Sequence, residues 1–261
     1  MEPPEVARDY EPIHPGTNWR ELGKRLVAPI AVGIGAVAKY GFAFAKFGSI
    51  FVAVGGYALI WGWRIAIGFV ALILIHELGH FIEARRLGLH PHWPIFVPFL
   101  GAFVAFRTEQ LTPWRLARIA LAGPVLGTVG AAAFWVVGES IDSQLLQALA
   151  YFGFLINLFN LLPVVPLDGG RAAAAVHPGL WALGLAGLIA LAIFRPNPIL
   201  FFIVLLGGLE LWRRWQTRNH PEFQRYYRVL PWQRAVVFLV YVGLAAFLVF
   251  AMHETHVPRS F

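Results

Sequence analysis

The stretch IHELGHF at residues 75–81 sets His76 and His80 four positions apart, with Glu77 beside the first of them. On a helix that spacing puts both imidazoles on one face, one turn from each other. Two neutral imidazoles so arranged can bind zinc, and the neighbouring glutamate can act as general base on a metal-held water. Five-residue patterns recur by chance, so two packing histidines near an unrelated glutamate are the bland alternative. That alternative weakens because the residues leading in, IAIGFVALILIH at 65–76, are apolar. Three ionisable groups inside an apolar span are costly to bury without a function.

Two histidines do not complete a site, since a catalytic zinc takes three protein ligands and leaves the fourth position to water. Asp168 is a candidate third ligand, closing the apolar run of NLLPVVPLDGGR at 160–171. Its plainer role would be a turn or N-cap carboxylate ahead of Gly169 and Gly170. Glu83, three residues past His80, is a weaker alternative that suits a supporting contact to a ligand histidine better. Asn160 could donate to a developing oxyanion or make an interhelical hydrogen bond. Asn157, one turn earlier, reads as packing glue.

The elements that hold these residues must be membrane helices. The 261 residues are 58% hydrophobic and 13% charged, with a mean hydropathy of +0.64. Soluble domains carry about twice that share of charge. A soluble globular chain and a disordered one are both excluded, leaving an all-α polytopic membrane protein. The net charge of +7 then fits cytoplasmic loops beside anionic lipid rather than a nucleic-acid partner. The chain has no Cys, which removes disulfides, thiolate ligands and a Cys nucleophile.

Residues 1–25 are polar and broken by prolines, unlike a cleavable signal peptide. The apolar run 26–38 between Arg25 and Lys39 is either a poor span or an interfacial helix. Spans are expected at 47–63, 65–86, 119–138, 143–165, 172–194 and 235–253, with 196–209 as a short oblique one. Segment 90–106 is apolar but carries Pro91, Pro94, Pro98 and Gly101, which disfavour a continuous helix. A re-entrant loop or short hairpin beside the site is the expectation, because non-helical backbone enters a membrane only where protein or a wet cavity covers it. The positive-inside rule puts Arg85, Arg86, Arg107, Arg115 and Arg118 in the cytoplasm, together with Arg213, Arg214, Arg218, Arg225, Arg228 and Arg234. Glu139 and Asp142 then fall outside, on the wrong side to complete the site. Three regions follow: an N-terminal tail with an interfacial or first membrane segment at 1–46, a catalytic core at 47–175, and C-terminal helices at 176–261 with a basic loop at about 210–234.

HELGH at 76–80, AGPVLG at 122–127 and NLLPVVPLDGG at 160–170 together resemble the site-2 protease family of intramembrane zinc metalloproteases, peptidase family M50. The resemblance spans roughly residues 60–175. It implies a three-helix core at about 65–86, 118–138 and 143–168, with one zinc ion on His76, His80 and Asp168. It also implies Glu77 as catalytic base and Asn160 as the polar residue that steadies substrate or intermediate. The stretch 95–106 resembles the family's membrane-inserted strands, which could hold an unwound substrate by strand addition. Gly123, Pro124 and Gly127 would allow close approach of the middle helix. Arg171 is expected to anchor a helix end at the headgroups, with a contact to Asp168 as the alternative. The chain has neither the PDZ nor the CBS insertions of larger members, and YYRVLPW at 226–232 lies outside the common core. The implied activity is hydrolysis of peptide bonds in single-span membrane proteins or signal-peptide remnants, in a prokaryotic inner membrane with the site toward the cytoplasm. The competing reading is a catalytically silent membrane scaffold that retains a metal. A cation transporter would need polar groups on both sides of the midplane, whereas these cluster toward one face.

Overall fold

The computed structural model describes residues 47–99, 101–106, 111–221 and 227–255. The apolar run 26–38, Arg107 and Arg225 lie outside them. Helix α1 (Phe47–Trp61) is followed at Gly62 by α2 (Trp63–Arg86). Then come β1 (Ile95–Val97) and β2 (Gly101–Phe103), α3 (Pro113–Ser140) and α4 (Gln144–Asn160). After a non-helical stretch follow α5 (Asp168–Val176), α6 (Leu180–Phe194), α7 (Pro198–Thr217) and α8 (Pro231–Glu254).

Among the described residues α2, α3 and α8 are long and apolar enough to cross a membrane, making this a multi-pass membrane protein. Their 24, 28 and 24 residues correspond to about 36–42 Å of helix, against a hydrocarbon core of about 30 Å. Leu239, Val249 and Phe250 of α8 and Leu183, Ile193 and Phe194 of α6 are exposed. Such a surface suits lipid, not water.

Local signals set the helix ends. Thr112 caps α3 by accepting from the Arg115 amide at 3.3 Å, with Pro113 at the first helical position, where its missing N–H costs nothing. Asn197 and Pro198 repeat the arrangement at α7. Helix α2 stops at Gly88, whose φ of 78° only glycine adopts freely. There the Leu89 amide bonds Ala84 O and the Gly88 amide bonds Arg85 O, a Schellman closure. Arg115 adds a bond to Leu87 O at 2.5 Å, joining the end of α2 to the start of α3.

Helices α2, α3 and α4 pack together, with α5 against α3 and α8 across α3, α4 and α5. Their common core includes Leu72, Leu121, Ala131, Leu149, Phe154, Val237 and Leu248. A second cluster joins Ala53 and Tyr57 of α1 to Val70 and Ile73 of α2 and Phe96 of β1. The strands form an antiparallel hairpin with Ile95 opposite Phe103 and Val97 opposite Gly101, as the proline-rich stretch predicted. The Phe96 amide is held by Ser49 Oγ of α1 at 3.2 Å.

Two expected helices are broken. The third core helix ends at Asn160 and does not run on to 168. Pro163 and Pro166 fall in the next seven residues and lack the N–H that a continuing helix would need, and Asp168 opens a new helix. The expected span 172–194 divides at His177–Pro178–Gly179 into α5 and α6. Pro178 ends the helical ladder there.

Candidate metal centre

Helix α2 buries His76, Glu77, His80 and Glu83, all 8% exposed or less. The four-residue spacing predicted the shared side of His76 and His80, with Glu77 one position round from it. His76 Nδ1 lies 2.8 Å from Asn157 Oδ1, while Asn157 Nδ2 donates to Gly153 O at 2.7 Å. The second bond fixes the amide orientation, so Oδ1 accepts and His76 Nδ1 carries the proton. His80 Nδ1 likewise donates to Ile119 O at 2.8 Å. In the neutral imidazole each Nε2 is then a bare lone pair, the form that binds metal.

Those two lone pairs meet a carboxylate. His76 Nε2 and His80 Nε2 are 3.1 Å apart, and each is 3.1 Å from Asp168 Oδ2. Three acceptors form a nearly equilateral triangle with no proton to share among neutral imidazoles. A cation is what such a buried triangle fits. Tetrahedral zinc with bonds of about 2.0–2.2 Å spaces its ligands about 3.3 Å apart, close to the edges observed. Among the described residues this is the group of His, Asp and Glu side chains able to share one ion.

The small residues of α3 make the triangle fit. A methyl group on Gly123 would run into the His80 ring, and one on Gly127 would run into the Asn157 amide. A side chain on Gly79 would strike the Ala122 backbone, so α2 and α3 touch along this line. Gly169 and Gly170 press against the backbone of Leu161–Val165, seating Asp168 beneath the histidines.

A cavity of about 600 Å³ opens from the triangle. Glu77, Asn160 and Arg171 line it, together with Val97 and Gly101–Val104 of the hairpin region and Ile199, Phe202 and Leu206 of α7. Arg171 therefore faces the cavity. Glu83 does not support a ligand histidine: it pairs with Arg118 Nη2 at 2.5 Å, and both histidines have other partners. The reading of Asn157 as packing glue missed its role at His76. Its one-turn offset from Asn160 was a signal, since it puts both amides on neighbouring positions of one helix face.

The family model described as Peptidase family M50 matches residues 64–143, covering α2, the hairpin and α3. "Putative zinc metalloprotease Rip3" of Mycobacterium tuberculosis is 36% identical over 134 residues, 47% of this chain and 34% of that protein. "Putative zinc metalloprotease sll0528" of Synechocystis is 30% identical over 127 residues, 47% of this chain and 33% of its own length. "Putative zinc metalloprotease MJ0611" of Methanocaldococcus jannaschii is 30% identical over 131 residues, 42% of this chain and 68% of its length. The match thus spans about a third of the first two relatives and two thirds of the last.

Proposed function

This chain belongs to peptidase family M50, and from that membership and its buried donor set we propose that it is a zinc-dependent intramembrane endopeptidase. The carrying observation is the triangle of bare acceptors on His76, His80 and Asp168, buried among apolar helices and opening on a cavity that Glu77 lines. His76, His80 and Asp168 would hold one zinc ion. When bound, that ion would polarise the scissile carbonyl and acidify a water.

Glu77 takes the proton of the attacking water and returns it to the leaving nitrogen as the C–N bond breaks. Asn160 offers its amide N–H to the carbonyl oxygen as that oxygen gains charge. The hairpin edge receives the substrate backbone in extended form, since a helical backbone hides its carbonyls in its own hydrogen bonds. Substrates are single-span membrane proteins or signal-peptide remnants, and residues that weaken their helices speed cleavage. The arginines at the end of α2, the start of α3 and the end of α7 support a cytoplasmic-side site in a prokaryotic inner membrane.

The test is cleavage of a single-span peptide in proteoliposomes. Glu77→Gln should lower the rate by about 10²–10⁴-fold while still binding metal, and a zinc chelator should abolish it. Metal-loaded wild type that cleaves no such peptide, helix-weakened ones included, would favour the silent scaffold.

A further inference from the structure

Asp168 sits on the shorter of the two helices that carry the three donors. The histidines sit on the 24-residue α2 with each Nδ1 fixed. Asp168 opens a nine-residue helix after seven non-helical residues, and its N-cap, Leu167, makes no capping side-chain bond. We propose that Trp181, Arg214 and Tyr227 form a positioning clamp that holds Asp168 in register with the histidines, so metal affinity depends on the C-terminal helices. The inference rests on the metal-site reading above.

The clamp is a continuous set of contacts. Trp181 Nε1 donates to Gly170 O at 2.6 Å, two residues past Asp168 in the first turn of α5. The indole is buried at 5% exposure. The Arg214 guanidinium lies over its ring, 4.1 Å from the centroid, and Tyr227 meets the ring edge-on at 5.9 Å. Arg214 is itself fixed, with Nε donating to Glu210 Oε1 at 2.6 Å and Nη1 to Tyr227 Oη at 2.5 Å. A planar guanidinium on an aromatic face is oriented as well as attracted. The ring therefore has a set angle, and the N–H that grips Gly170 has a set direction. Tyr227 belongs to YYRVLPW, the stretch that the catalytic core leaves unexplained.

The neighbouring pair at the C-terminal end of α7 is the internal control. Arg218 stacks on Trp215 at 3.9 Å, the same chemistry, but Trp215 makes no bond to α5 among the described residues. Zinc affinity of the purified full chain, read by competition with a chromogenic chelator, separates the two. Trp181→Phe keeps a ring and loses the N–H, and should weaken zinc binding by about 10-fold, the lower end of what loss of a direct bond to a ligand costs. Arg214→Gln should act in the same direction and Trp215→Phe should leave affinity unchanged, with melting midpoints recorded for all three. Wild-type affinity in Trp181→Phe, or an equal loss in Trp215→Phe, would overturn the clamp. If Trp181→Phe does not fold, Arg214→Gln decides by the same measure. A wild type that binds no zinc would instead overturn the metal reading.

Discussion

At the residue scale the metal centre turns on where protons sit. Asn157 and Ile119 O hold the Nδ1 protons of His76 and His80, which turns both Nε2 atoms toward the metal position. Asn157→Ala frees His76 to turn and to swap tautomers. Zinc affinity should fall about 10–100-fold, measurable by chelator competition, with the helical content unchanged. The shared face of His76 and His80 was legible from their four-residue spacing, because helical periodicity fixes which side chains share a face. Asp168 was legible as a candidate but not decided by spacing, since an aspartate before two glycines also caps turns. The partner of His76 was hidden, because a polar residue in an apolar helix reads equally as a ligand support and as an interhelical bond.

At the element scale the site depends on how closely α3 and α5 approach their neighbours. Gly123→Ala puts a methyl group where the His80 ring lies. That variant should lose most of its zinc while its circular dichroism stays near wild type, whereas Gly187→Ala, at an open position of α6, should change neither. Gly169→Ala meets the Leu161 backbone, which cannot yield as a side-chain tip can, so it should also cost zinc. The core helices and the hairpin were readable because apolar length and proline clusters mark them. The end of α4 was missed because NLLPVVPL is as apolar as the helix before it. Hydropathy records burial in the bilayer, and only Pro163 and Pro166 marked the loss of helical bonding.

For the whole molecule, the cavity must admit water although lipid surrounds the helices. The Cys-free sequence makes single cysteines clean reporters. Ala102→Cys, on β2 in the cavity wall, should react with a water-soluble maleimide in proteoliposomes. Leu239→Cys, on the exposed apolar face of α8, should resist it, because a maleimide needs thiolate and water. Equal resistance at both would mean that the cavity is dry. Across position 175, α5 and α8 close over the same core as α3 and α4.

The most direct measurement is zinc per purified full-length chain in mild detergent, for wild type, Asp168→Ala and Glu77→Gln. The triangle of bare acceptors predicts about one zinc in wild type, kept in Glu77→Gln and lost in Asp168→Ala. Well-folded wild type without specifically bound zinc, or an Asp168→Ala variant that binds it as tightly, would contradict the site as described.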